Sequence, residues 1–159
     1  MKNISLIFIL LCSMLLLFGC SNSKNNLDKI IDNPDKIILY KDGNQKEILP
    51  SDTNFKKIID LTNERIDADT LSVAKDGIKI DEVVTDNKKK YLGIEFIYDK
   101  EQEMDINNSN GFSPIKYNRL YFNLSDNNST YFQYGNKENY VDSSRGPLKS
   151  SNKLLDIIK

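Results

Sequence analysis

Histidine is absent from the 159 residues, and cysteine occurs only as Cys12 and Cys20. Without imidazole, Cys/His zinc sites, Ser-His-Asp and Cys-His nucleophile systems and histidine pH switches are all excluded within this chain. Both cysteines fall in or at the end of the opening apolar run. No disulfide is therefore expected in the folded part, even where the compartment would allow one. Arginine and alanine are scarce, and an excess of basic charge is also missing. Residues 1–19 carry one charge, Lys2, so of 22 basic and 23 acidic side chains 21 and 23 remain beyond them, a net charge of −2. That balance gives no electrostatic reason to expect nucleic acid or anionic lipid as a partner. No internal repeat is evident.

What the chain does have is a strong N-terminal pattern. Lys2 supplies a small positive region, and Ile4 to Phe18 is apolar except for Ser5, Cys12 and Ser13. A spanning helix needs about 20 apolar residues, and this run is shorter and ends abruptly in polar sequence. It reads as the hydrophobic region of a secretory signal. Its end, Leu17-Phe18-Gly19-Cys20, resembles the lipobox of bacterial lipoproteins, with Phe18 bulkier than the usual residue at its place. The resemblance implies a diacylglyceryl group on the Cys20 thiol and cleavage between Gly19 and Cys20. Two acyl chains anchor stably where one holds only marginally. The expected location is therefore the cell membrane, lipid-anchored on its extracytoplasmic face.

Residues 1–19 are then a signal peptide, residues 20–26 a lipidated N-terminus and flexible Ser/Asn/Lys-rich tether, and residues 27–159 one globular domain. A single domain is the expectation for the 140 residues that remain after position 19. Lys, Asn and Ile are abundant, which we read as codon bias of a low-G+C genome. In this style, and in Asp35-Lys36-Ile37-Ile38-Leu39-Tyr40 and Phe55-Lys56-Lys57-Ile58-Ile59, the domain resembles small uncharacterised lipoproteins of clostridial-type Gram-positive bacteria. That resemblance implies no functional residues.

Periodicity sketches the fold. Leu27 to Ile31 is expected to form one helical turn, ended before Pro34. Lys36 to Lys41 and Lys46 to Leu49 flank Asp42-Gly43, a hairpin signal. Phe55, Ile58, Ile59, Thr62 and Ile66 make one apolar stripe behind a cap at Ser51 or Asp52, predicting a helix over 52–66 that packs on a sheet. Ile78 to Thr85 and Tyr91 to Tyr98 read as a second hairpin around a turn at 86–89, with Lys88-Lys89-Lys90 solvated. Lys116 to Leu124 alternates: Asn118, Leu120, Phe122 and Leu124 face one way, and Tyr117, Arg119, Tyr121 and Asn123 the other. A strand over 129–134, a break at Arg145-Gly146-Pro147 and a last helix with Leu154, Leu155 and Ile158 inward complete the chain. The class is α+β: an antiparallel sheet of about five to six strands with helices packed on one face.

Four arrangements bear on chemistry. Ser-x-x-Lys, which supports catalysis without histidine, occurs as Ser21/Lys24, Ser72/Lys75, Ser113/Lys116 and Ser150/Lys153. Ser125-Asp126-Asn127 imitates an element of penicillin-recognising enzymes, but no Lys-Thr-Gly follows. Asp99, Glu101, Glu103 and Asp105 would line one face with Glu95 if the strand ran straight, as a two-acid hydrolase needs; a charged hairpin tip at Asp99 to Glu103 is the reading we prefer. Asp105-x-Asn107-x-Ser109 imitates a calcium loop, yet Asn110 and Lys116 stand where glycine and glutamate belong. Finally, Tyr117, Arg119 and Tyr121 form an aromatic and cationic set suited to a sugar or extended peptide.

The expected protein is thus a non-enzymatic, lipid-anchored binding or interaction domain with no cofactor and no metal. Its partners would be the membrane through its lipid and an envelope protein, peptide or glycan, with Tyr117, Arg119 and Tyr121 as the contact face. A carboxylate-dependent envelope hydrolase and a structural or inhibitory lipoprotein are the alternatives.

Overall fold

The structure, a computed structural model, describes residues 29–74, 79–104, 114–125 and 130–158. Among these, seven strands and three helices follow one another: β1 (Lys36–Lys41), β2 (Asn44–Ile48), α1 (Phe55–Asn63), β3 (Ser72–Ala74), α2 (Ile80–Lys90), β4 (Gly93–Met104), β5 (Ile115–Asn123), β6 (Phe132–Gly135), β7 (Tyr140–Gly146) and α3 (Asn152–Ile158). The strands form one antiparallel sheet in the order β2-β1-β4-β5-β6-β7-β3. The α+β class holds, with seven strands instead of five to six.

The first hairpin forms on the expected turn. Asp42 and Gly43 both take positive φ, 51° and 76°, and Lys41 pairs with Asn44. Two left-handed residues in a two-residue loop match the right-handed twist of the flanking strands. The main core lies on one sheet face. Ile37, Ile94, Phe96, Leu120, Phe122 and Phe132 meet Phe55, Ile58 and Ile59 of α1 and Leu154, Leu155 and Ile158 of α3. Mutually tilted cross-strand rings run through it, Phe96 to Phe122 at 5.6 Å and Phe122 to Phe132 at 5.4 Å. Each such side chain contributes about 1.5–3 kcal/mol on burial. Helix α1 starts later than the periodicity suggests, because Asp52 is used in the turn before it: its carboxylate accepts from the Leu49 N–H at 2.6 Å. The expected turn near Ile31 is not helical; Lys29–Ile31 is irregular, while Leu27 and Asp28 lie outside the described residues.

The largest departure is at 80–90. The expected strand and its lysine turn are instead α2, and α2 lies on the opposite sheet face from α1 and α3. Its apolar side chains Ile80 and Val84 join Ile38, Tyr40, Tyr121 and Tyr140 in a second core. The helices are therefore not confined to one face. The physical reason is in the charges as much as the apolar spacing. Asp81 and Glu82 occupy the first turn and Lys88, Lys89 and Lys90 the last, each sign complementing its end of the helix dipole. Asp86 pairs with Lys90 at 3.6 Å and Lys79 with Glu82 at 3.5 Å, exposed pairs worth about 0.2–0.5 kcal/mol each.

Strand β4 also runs on through Asp99–Glu103, so the expected hairpin tip is strand. Its ladder with β5 is interrupted: Ile97 pairs with Arg119, but the next pair is Gln102 with Tyr117. Tyr98 to Glu101 thus stand opposite Asn118 alone, whose side-chain amide donates to the Tyr98 carbonyl at 3.2 Å. Such a bulge changes which face the following residues point to. Strand β7, which nothing in its Tyr-Val-Asp-Ser-Ser-Arg-Gly sequence announced, adds outside β6 and receives the short edge strand β3.

Candidate functional site

The bulge decides the fate of the expected contact face. On one side of it Tyr121 belongs to the second core under α2; on the other, Tyr117 belongs to the main core, edge-on to Tyr98 at 5.3 Å. Tyr117 is 1% and Tyr121 0% exposed. The clean alternation that put Tyr117, Arg119 and Tyr121 together on a solvent-facing side is broken, so the structure separates the two phenols and buries both. Only Arg119 of the three keeps partial exposure, 22% of its side chain.

What gathers around Tyr121 instead is a largely buried ionic and aromatic cluster. Glu95, on β4 and 2% exposed, is its centre. Its Oε2 accepts from the Tyr40 hydroxyl at 2.7 Å and from Lys88 Nζ at 2.8 Å. Its Oε1 accepts from the Tyr140 hydroxyl, with Arg119 Nη1 at 3.9 Å. Strand β1 supplies Tyr40, β5 supplies Arg119 and Tyr121, β7 supplies Tyr140, and α2 lowers Lys88 from above.

Lys88 is enclosed on its other sides by rings. Its Nζ lies 5.0 Å from the Tyr40 centroid, 5.2 Å from Tyr140 and 5.6 Å from Tyr121. Arg119 stacks over the outer face of the arrangement, 5.5 Å from the Tyr140 centroid, and one of its terminal nitrogens donates to the Lys137 carbonyl. Gly93 makes the fit possible. A Cβ there would stand 2.6 Å from the Tyr121 hydroxyl and 2.9 Å from its ring.

The electrostatics follow from this enclosure. Burial pushes the Glu95 carboxyl up, but the Lys88 charge and the hydrogen bonds from Lys88, Tyr140 and Tyr40 outweigh it and hold the group below its ordinary value. Burial lowers Lys88, opposed by the attraction of Glu95. Burial, then the neighbouring carboxylate, raises the phenols of Tyr40, Tyr121 and Tyr140. Two buried polar atoms in the cluster lack a hydrogen-bond partner, the Tyr121 hydroxyl and Arg119 Nε.

The remaining sequence candidates scatter. Asp99, Glu101 and Glu103 are exposed, past the bulge from buried Glu95, so these acids do not face it across a cleft; Asp105 lies outside the described residues. Ser72 donates to the Gly146 carbonyl at 3.1 Å, and Lys153 pairs with Glu64 at 2.9 Å instead of with Ser150. Lys24, Lys75, Ser113 and the Asp126-Asn127 pair lie outside the described residues, as do the calcium-like Asp105 to Asn110 and the lipobox with Gly19 and Cys20. Among the described residues no group of three or more acidic, cysteine or histidine side chains could hold a metal ion. A shallow recess of about 350 Å³ opens elsewhere, floored by Leu39, Ile48, Ile58 and Ile157 with Lys46 and Asn54 at its rim.

Sequence reasoning missed Glu95, Lys88, Tyr40 and Tyr140 as a set. One signal was present: Glu95 is a lone acid inside Ile94-Glu95-Phe96-Ile97. Another was the four-residue spacing of Ile80, Val84 and Lys88, which places all three on one helix face. No protein-family model matches the chain, and no curated protein or solved structure matches it.

Proposed function

We propose that the chain is a non-enzymatic binding domain held on the extracytoplasmic face of the cell membrane by a lipid on Cys20. The anchor rests on the sequence Leu17-Phe18-Gly19-Cys20 at the end of a short apolar run. The observation that carries the binding role is the state of Glu95. A catalytic carboxylate must reach a substrate proton directly or through one water. Glu95 is instead closed under α2, with both oxygens already accepting from Tyr40, Tyr140 and Lys88. Its cation and its phenols serve recognition and cohesion better than proton transfer. An envelope protein, peptide or glycan remains the kind of partner that suits this location.

Metabolic labelling with a radioactive fatty acid tests the anchor. The intact chain should take up label and partition with membranes, and Cys20→Ser should do neither. Label retained by the mutant would remove the basis for the anchored reading.

A further inference from the structure

Three tyrosine rings and one carboxylate around one ammonium constitute a receptor for an organic cation. Ring faces carry negative electrostatic potential, and cages of this kind recognise ammonium ligands through several ring faces at once. Here the rings of Tyr40, Tyr121 and Tyr140 lie 5.0–5.6 Å from the Lys88 nitrogen, while Glu95 supplies a hydrogen-bond acceptor at 2.8 Å.

The geometry points to a primary alkylammonium-binding site on the sheet, occupied in this structure by the chain's own Lys88 as an internal ligand. The receptor half is built entirely on strands. Tyr40 and Tyr140 are fixed by their bonds to Glu95, and Tyr121 is fixed by close contact with Gly93. None of these contacts uses an atom of α2. The ligand half is α2, seated by two buried aliphatic side chains, Ile80 and Val84. Two further ties hold its first turn: the Asp142 carboxylate accepts from the Ile80 N–H at 3.1 Å, and the Asp81 carboxylate accepts from the Tyr140 N–H at 2.7 Å.

Occupation by a tethered lysine has a defined consequence. A group linked through a short segment competes at an effective concentration of order millimolar. A free alkylammonium therefore enters the intact protein only at higher concentration, displacing Lys88 from the cage. Removing the Lys88 ammonium opens the cage without touching any receptor residue. This assigns a ligand class to the binding role proposed above. It is independent of Cys20, so loss of fatty-acid labelling and loss of cation binding are separate results.

The test is chemical rescue of the full chain, purified in non-ionic detergent. Lys88→Ala leaves Glu95 buried without its cation and should melt below the intact protein. Adding n-butylammonium, which carries its ammonium on a four-carbon chain as the lysine side chain does, should raise the melting temperature of Lys88→Ala saturably. The uncharged isostere n-butanol should not, and the intact protein should need at least about tenfold more n-butylammonium for any shift. Tyr121→Phe in the Lys88→Ala background keeps the ring, loses the orphan hydroxyl and should retain the rescue. A folded Lys88→Ala with no n-butylammonium-specific shift, an equal shift from n-butanol, or loss of rescue with Tyr121→Phe would each overturn the site. So would failure of both Lys88→Ala and Lys88→Met to fold at every n-butylammonium concentration, since Lys88 would then be an irreplaceable part of the core.

Discussion

Replacing Glu95 by glutamine keeps the shape of the side chain and deletes its charge, leaving the Lys88 ammonium under α2 without its counterion. Removing one partner of a buried ion pair costs about 3–5 kcal/mol. Lys88 keeps 18% of its side-chain exposure and can turn part of its ammonium toward water, and the three ring faces remain. The lower end of the range therefore applies, about 3 kcal/mol, or roughly a 10 °C fall in melting temperature for a domain of this size. Urea and thermal melts followed by circular dichroism measure it.

Two controls separate charge from packing damage. Glu95 has a folded-state value held below its ordinary 4.5, so its contribution is present above that ordinary value and is lost as pH falls through the folded one. The gap between intact protein and Glu95→Gln should therefore close progressively on acidification below pH 4.5. Lys88→Met alone should also destabilise, and the Glu95→Gln, Lys88→Met double mutant should recover about 2 kcal/mol relative to the sum of the singles. Strict additivity, or a gap that stays constant with pH, would show that the pair is not coupled and that Glu95 matters only as filler.

Gly93→Ala should destabilise by about 1–3 kcal/mol through its collision with the Tyr121 ring, and Tyr121→Leu should relieve part of that loss; melts of the two singles and the double decide it. The raised phenols of Tyr40, Tyr98, Tyr117, Tyr121 and Tyr140 stabilise the fold below the ordinary value of 10.0, and this is lost as pH rises, because the unfolded chain ionises first. Ultraviolet titration should show these five ionising only together with alkaline unfolding; gradual ionisation in the folded state would contradict their burial. Glu95→Leu and Lys88→Leu combined with Tyr40→Phe and Tyr140→Phe, which leaves neither hydroxyl without its acceptor, should hold stability within about 1–2 kcal/mol of the intact protein but speed amide exchange along α2, whose register two aliphatic side chains define poorly. Unchanged exchange would mean that the pair does not position the helix.

The first hairpin, α1, α3 and the main core were legible because each rests on a local pattern. Asp42-Gly43 fixes its own turn, and Phe55, Ile58, Ile59 and Thr62 repeat at helical spacing with no competing period. Strand β7 was not legible, since Asp142, Ser143, Ser144 and Arg145 carry no strand signature and are covered only after β3, β6 and α2 are in place. Segment 80–90 was misread because the paired Val83 and Val84 fit a strand as easily as a helix. What settles it is the sign order of its charges from Asp81 to Lys90 and the presence of a sheet face needing cover.

The contact face failed for a different reason. Alternation along β5 is a correct local rule, but it holds only while the ladder to β4 is continuous. Opposite Asn118 four residues of β4 replace one, and every inference carried across that point changes face. Tyr117 and Tyr121 were therefore assigned one environment when they have two. Glu95 held the information that alternation lacked. An acid set between Ile94 and Phe96 on a central strand points to the face opposite the main core, and such a face stays open only if it is wetted. Four neighbouring side chains on that face are apolar or aromatic, Ile38, Tyr40, Tyr121 and Tyr140, so water is a poor solution. A helix bringing its own cation is a better one, and Lys88, two turns beyond Ile80, is the lysine whose spacing delivers it.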